Sequence, residues 1–249
     1  AIFGPPFCKY SYDEQNMALR NASPSFDHWL GTDKMGRDIF VRILFGARIS
    51  LAVGCLAAVI NLIVGTIYGG IAGYVGGKVD MIMMRVVDII YSVPSMLYIV
   101  LIMLIFGASV VSIMLGISIT CWIDMARIVR QQVKSLKEQE FTMAAFVLGA
   151  SSSRILLKHL LINTMGQIIV TVTLMVPQAI FTEAWLSFLG VGISAPMASW
   201  GTLAQDAREL IMTYPMQTVY PMIAICITIF SFNFVGEGLE KALDPKRKR

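Results

Sequence analysis

The sequence predicts an all-α polytopic membrane protein, and three observations predict it. Only 14% of the 249 residues are charged while 56% are hydrophobic, against about 25% charged in ordinary soluble domains. The mean hydropathy is +0.70. Four stretches, 49–77, 89–123, 160–182 and 210–236, carry no formal charge at all. So few charges cannot clothe a water-facing surface, so lipid must be the solvent for much of the chain.

A helix that crosses a bilayer needs roughly 20 mostly apolar residues, and each charge-free stretch is long enough. The second holds two crossings, because Gly107-Ala108-Ser109 interrupts it. Residues 85–106 and 110–130 then form a helical hairpin, which gives five transmembrane helices in this chain. The alternating outward-facing apolar pattern of a barrel is missing, so helices are the spanning elements.

Five crossings put the two ends on opposite sides. The segments 78–85, 127–158 and 241–249 hold thirteen of the twenty Lys and Arg residues. Lys- and Arg-rich loops stay in the cytoplasm. The Lys246-Arg247-Lys248-Arg249 tail is therefore expected inside and residue 1 outside, in a multi-pass protein of the cell (inner or plasma) membrane. The chain opens on an apolar Ala1-Ile2-Phe3 without Met or signal peptide, and the expectation is a further span ahead of it.

Three regions follow. Residues 1–47 read as an extracytoplasmic segment, polar and turn-rich over 1–27 with Pro5, Pro6 and Pro24. Ile39, Phe40, Ile43 and Leu44 then alternate at helical spacing with Arg37, Arg42 and Arg48, which predicts an amphipathic helix on the membrane surface. Asp38 and Arg42 stand four apart, a pair worth about 0.3–0.5 kcal/mol. Residues 48–240 form the transmembrane part, with a cytoplasmic helical segment at 138–160, and 241–249 form a basic tail. Pro94 and Pro177 mark kinks. Residues 183–200 read as an outer-face loop, and 201–215 as a short surface helix before the last span.

Chemistry is scarce. Gly69-Gly70-Ile71-Ala72-Gly73-Tyr74-Val75-Gly76-Gly77 lets helix backbones approach where lipid offers no hydrophobic drive. It is not a phosphate loop, since Ala72 stands where glycine is needed and Val79 follows Lys78 where Ser or Thr should hold magnesium. No cofactor or metal site is expected. Cys55, Cys121 and Cys226 lie in apolar spans as small buried hydrophobes, and Cys8 stands alone. Two histidines, His28 and His159, fall on opposite sides, and no Gly-x-Ser-x-Gly or His-Glu-x-x-His occurs. An enzyme is excluded on those grounds.

Charged groups at membrane depth are functional candidates. Glu183, four residues before Ser187, either faces a passage or an external partner, or sits at headgroup level. Asp124 and Arg127 read as a self-satisfied pair on one helix face. Asp80, Arg85 and Asp88 surround a cytoplasmic turn and pin helix ends. Asn61, in mid-span, is read as bonding a neighbouring helix rather than substrate. In the cytoplasmic segment, two helices broken near Gly149 are predicted. The first carries small residues at 144, 145, 149 and 150. Spacing leaves two readings open there, a helix lying in a partner's groove and a plain connector.

Four stretches taken together resemble the permease subunits of ATP-binding-cassette importers, in the dipeptide/oligopeptide/nickel group and of its second permease type. They are Leu30-Gly31-Thr32-Asp33 with Gly36-Arg37-Asp38, Gly46-Ala47-Arg48 and Ser50-Leu51; Gly73-Tyr74-Val75-Gly76-Gly77 with Asp80, Met84-Arg85 and Asp88; Leu186-Ser187-Phe188-Leu189-Gly190 with Trp200-Gly201 and Asp206; and Phe232-Asn233 with Gly236, Gly238-Leu239 and Ala242-Leu243-Asp244-Pro245. The resemblance runs from about 28 to 246. It implies the type I importer permease fold, with one more span ahead of this region.

The resemblance also implies a coupling helix seated on an ATPase subunit, carried here by Met143, Ala144, Ala145, Gly149, Ala150 and Arg154. Two positions depart from the family pattern. Met143 replaces a Glu, and Ile162 stands where Pro would follow Leu161, so docking by shape is expected rather than by charge. The implied partners are a second permease subunit in a heterodimer, two cytoplasmic ATPase subunits, an extracytoplasmic substrate-binding protein and membrane lipid, with no nucleic acid. The implied activity is ATP-driven import by alternating access, of oligopeptides or dipeptides. Nickel or another small solute is the alternative cargo. Glu183, Ser187 and Asn61 are the candidates for contact with the pathway or the binding protein. A secondary transporter or channel would instead show intramembrane ion-pair relays and inverted repeats, and neither is present in the sequence.

Overall fold

The computed structural model describes residues 8–193 and 197–243. Among them, eight α-helices follow one another: α1 (Ile39–Val75), α2 (Gly77–Ser92), α3 (Ser95–Phe106), α4 (Val110–Lys137), α5 (Glu140–Val147), α6 (Ser152–Phe188), α7 (Trp200–Arg208) and α8 (Pro215–Leu243). A single 3-10 turn (Met17–Leu19) and one isolated bridge between Thr32 and Asp38 complete the regular structure. Helices α1, α4, α6 and α8 are each long and apolar enough to cross a membrane. Helices α2 and α3 pass the same test as a pair bent by 75°. Counted as one broken span, they bring the number to five.

The break between α2 and α3 has a local cause. Pro94 has no amide hydrogen, and its ring pushes the preceding residue out of the helical region. Val93 accordingly sits at φ −95°, ψ 126°. The helix expected over 85–106 thus turns at Pro94, and it starts earlier than expected, at Gly77. Pro177, by contrast, lies inside a continuous α6.

Four other expectations change. The amphipathic surface helix is no separate element, because α1 runs from Ile39 to Val75. Its first turn is enclosed by protein, with Ile39, Val41 and Arg42 all buried. At 37 residues, α1 is about 56 Å long, well over a hydrocarbon thickness of about 30 Å. The outer-face loop starts later than expected, since α6 continues through Glu183 to Phe188 and ends at Gly190, whose φ of +87° suits glycine. Ser194-Ala195-Pro196, the first seven residues and the 244–249 tail lie outside the described residues. The helix expected over 201–215 is the shorter α7, begun by a capping box in which Ser199 and Thr202 satisfy each other's backbone. Cys55 and Cys226 are exposed rather than buried.

The chain divides into two compact units. The first gathers the described residues of Ala1–Cys55, Val100–Met114 and Val176–Ser231. In it Gly54 lies so close to α6 that a Cβ there would stand 2.8 Å from Ile180. The Trp200 indole N–H donates to the Ile43 carbonyl at 3.0 Å, fixing α7 to α1. Gln217, at the start of α8, donates to Asn21 Oδ1 and to the Thr32 carbonyl, which ties the N-terminal segment down.

The second unit gathers the described residues of Leu56–Ile99, Leu115–Met175 and Phe232–Arg249. Its core is Met125, Val129, Val133, Ile155, Leu160 and Ile168. Gly65, Gly69 and Gly73 step along one face of α1, four residues apart, and α4 rests on them. A Cβ at Gly65 would meet Met125 at 2.6 Å, and those at Gly69 and Gly73 would collide with the backbone of Ala126 and Arg130. Close approach of this kind is how helices associate in lipid. Gly69→Val is expected to destabilise the purified protein by about 3 kcal/mol, the upper range for overpacking. Gly70 has only an ordinary contact, with Leu161 at 3.5 Å, so Gly70→Ala is expected to unfold as wild type. Thermal unfolding in detergent compares the two, and equal midpoints would mean that α1 and α4 are not in backbone contact.

Candidate functional site

The second unit presents α5 as an eight-residue helix between two long ones. Gln139 is extended, so α4 stops and α5 starts in a new direction. The Thr142 hydroxyl then donates to the Leu136 carbonyl at 2.8 Å and is itself buried, which anchors one side of α5 to the end of α4. Ala145 and Ala150 face the same way and pack on the unit's core. The helix closes when the Ala150 N–H reaches back to the Ala145 carbonyl at 3.1 Å and that of Gly149 to Phe146 at 3.0 Å. Gly149 has φ +80°, the left-handed conformation that favours glycine at a helix end. Ser151 then caps the start of α6.

The other side of α5 is bare. Met143 is 64% exposed, Phe146 70%, Val147 82% and Leu148 86%. Ala144, Gly149 and Arg154 are exposed as well. A cavity of about 640 Å³ lies beside the helix, bordered by Tyr74, Lys137, Met143, Phe146, Ser152 and Leu156. The six residues singled out from the sequence thus divide. Met143, Ala144, Gly149 and Arg154 face out, while Ala145 and Ala150 hold the helix in place. Sequence reasoning passed over Phe146-Val147-Leu148, the most exposed part. Their signal was present as three consecutive large apolar residues in a water-facing segment.

In the first unit, Glu183 is completely enclosed. Its Oε1 accepts from the Ser187 hydroxyl at 2.9 Å and its Oε2 from that of Ser50 at 3.0 Å. The Ser199 side chain also bonds this carboxylate. The Ser50 oxygen in turn accepts the backbone N–H of Trp200, the first residue of α7. Gly201 lets α7 press against α6, since a Cβ there would lie 2.6 Å from Ala184. Glu183 therefore pins α1, α6 and α7 together through hydroxyl donors, a hydrogen-bonded arrangement of the sort a buried charge requires.

A second polar cluster in the same unit joins the loop before α1 to α7. Arg37 and Arg42 both bond Asp33 and Asp206, at 2.6 to 3.1 Å. The expected Asp38–Arg42 pair does not form. The Asp38 carboxylate caps α1 through the Val41 N–H at 2.9 Å and takes His28 Nδ1 at 2.8 Å, while Arg42 is committed to Asp33 and Asp206.

In the second unit, Asn61 begins a π turn in α1 (Asn61–Gly65) and is buried. Its amide nitrogen meets the Met175 sulfur on α6, so it bonds a neighbouring helix. The expected Asp124–Arg127 pair is replaced by one between Arg127 and Asp88 at 3.1 Å, with the guanidinium 4.3 Å from the Tyr91 ring centre. Asp80 takes Arg130 and Lys134.

Residues 65–249 match the family described as binding-protein-dependent transport system inner membrane component. The chain belongs to this family. Over its whole length the chain is 51% identical to the oligopeptide transport system permease protein OppC of Bacillus subtilis (strain 168), covering 82% of that protein. It is 47% identical to the dipeptide transport system permease protein DppC of the same organism, covering 78% of it. Against OppC of Escherichia coli (strain K12) the identity is 42%, over 98% of this chain and 82% of the relative. Among solved structures, the inward-facing methionine ABC transporter MetNI matches with a TM-score of 0.66 at 16% identity, over 82% of this chain and 96% of that one. An amino acid ABC transporter matches at 0.62 and 14% identity, over 81% and 94%. The fold is that of type I importer permeases, as the four sequence motifs implied, and the protein is a multi-pass inner membrane component.

Proposed function

We propose that this chain is a transmembrane permease subunit of an ATP-driven importer of oligopeptides or dipeptides. One observation carries the reading: 51% identity along the entire chain to a permease named for oligopeptide transport, with a dipeptide permease next at 47%. Peptide is thereby favoured over nickel as cargo. The exposed tip of α5 supports a docking role, because apolar residues turned to water in a short rigid helix want a partner. Met143, Ala144, Gly149 and Arg154, with Phe146, Val147 and Leu148, would meet an ATPase subunit there. Ala145 and Ala150 set the angle of the helix. A large side chain is tolerated on the outer side only as far as a groove in the partner allows.

The machine comprises this chain, a second permease subunit, two cytoplasmic ATPase subunits and an external binding protein that delivers the peptide. Nucleotide closes the ATPase pair, α5 moves with it, and the spans rock as rigid bodies to open the passage outward. Hydrolysis on the partner subunits resets them. The chain itself contributes no covalent chemistry. The excess of Lys and Arg over 78–85, 127–158 and 241–249 supports a cytoplasmic C-terminus. Within this reading Glu183 and Ser187 are positioning residues for α7 on the outer side, and Asn61 holds two spans together.

Proteoliposomes holding the assembled complex, with binding protein outside and ATP inside, test the reading. Uptake of a labelled peptide is expected to need ATP and to be competed by unlabelled peptide but not by nickel. Uptake without ATPase subunits, or competition by nickel alone, would overturn it.

A further inference from the structure

We propose that the cleft between α2 and α4 binds the anionic headgroup of a membrane phospholipid. The two helices are not in close backbone contact there. A cavity of about 550 Å³ separates them, lined by Met84, Asp88, Arg127, Arg130, Gln131 and Lys134. Long side chains from α4 bridge it. Arg130 and Lys134 reach Asp80, and Arg127 reaches Asp88.

Counting donors and acceptors shows what is left over. Asp80 is buried and already accepts from Arg130 Nε, Arg130 Nη2 and the Lys134 ammonium. A guanidinium has five N–H donors and an ammonium three. Arg127 places one N–H on Asp88, and Lys134 places one on Asp80. The Gln131 side chain, within α4, bonds nothing among the described residues. The Arg127 and Lys134 side chains are 36% and 48% exposed, so their remaining donors are open to a ligand. Three cations face two carboxylates. The surplus is positive charge and unused donors, and an oxyanion satisfies both.

Depth decides which oxyanion. The charge-free run 89–123 begins just after Asp88 on α2 and ends just before Asp124 on α4. Asp88 and Arg127 therefore stand where the uncharged parts of both helices stop, which is headgroup level. Tyr91, 60% exposed against the Arg127 guanidinium, is the amphipathic aromatic that favours this boundary. On the membrane side of Asp88, α2 exposes Ile89 and Tyr91, so that border of the cleft is clad for acyl chains. Basic pockets between spans bind anionic headgroups by the same logic.

The assembled full-length complex in detergent, titrated with phosphatidylglycerol or with phosphatidylcholine of the same chains and read by native mass spectrometry, tests this. Phosphatidylglycerol is expected to be retained preferentially, and Gln131→Glu or Arg127→Gln to lower that retention about fivefold each, the effect of one charge at a membrane surface. Gln131→Glu breaks no bond in the structure, so it decides the matter if Arg127→Gln fails to assemble. Equal retention of the two lipids, or a preference that survives in an intact Gln131→Glu complex, would refute the site. Displacement of phosphatidylglycerol by millimolar inorganic phosphate would reassign it to a small soluble anion.

Discussion

Leu148→Asp is expected to abolish peptide-stimulated ATP hydrolysis by the assembled importer while leaving the membrane part folded. Leu148 is 86% exposed and stands beside Val147 at 82% and Phe146 at 70%. Removing it loses little inside the chain, so thermal unfolding should not move. In a docked complex the same side chain would be taken out of water, and a carboxylate in its place would be buried without a partner. Interface positions of this kind are worth 2 kcal/mol or more, so ATPase subunits should bind at least about 30-fold more weakly. Co-purification and hydrolysis are read together. Ala144→Arg, on the same bare side, should act alike. Gly149→Arg is a poorer probe, because φ +80° strains any side chain there regardless of docking. Wild-type hydrolysis and ATPase retention in both Leu148→Asp and Ala144→Arg would remove α5 from the coupling role.

What the sequence made legible was whatever depends on neighbours along the chain. Charge-free runs located the spans, Pro94 marked the break between α2 and α3, and Gly149 marked the end of α5. The glycine steps at 69 and 73 foretold the close helix pair, though not which helix would fill it. What stayed hidden were choices between partners. Asp38 and Arg42 are one helical turn apart, yet Arg42 bonds Asp206, 164 positions away. Arg127 passes over Asp124 for Asp88 on another helix. A local pair is worth only about 0.3–0.5 kcal/mol, so a long-range partner outcompetes it, whether the cation is buried, as Arg42 is, or half-exposed, as Arg127 is. The outward side of α5 was hidden for a related reason: spacing drew attention to its small residues, whereas Thr142 bonding Leu136 decides which side is presented.

The same buried pairing gives the second large effect. Arg42→Met should destabilise the protein by about 3–5 kcal/mol, the cost of removing one partner from a buried ion pair. The Arg42 side chain is 3% exposed and bonds Asp33 at 2.6 Å and Asp206 at 3.1 Å. Without it, two carboxylates share Arg37, and Asp33 stays buried. Burial pushes the Asp33 carboxyl up, but Arg42, Arg37 and the backbone N–H groups of Arg37 and Met35 outweigh it and hold it below its ordinary value. A carboxylate held low in the folded state contributes stability that is complete above its unfolded pKa, about 3.9. That contribution is lost as pH falls through the lower folded value. Wild type should therefore keep this stability from neutral pH to about 5. Arg42→Met raises the folded pKa of Asp33 and so forfeits most at neutral pH. The gap between the two unfolding midpoints should be widest near pH 7 and shrink as pH falls below about 4. Asp206→Asn in the Arg42→Met background should recover part of the loss by relieving the crowded carboxylates. A gap that stays constant from pH 7 to pH 3 would show that Arg42 contributes packing there and not charge.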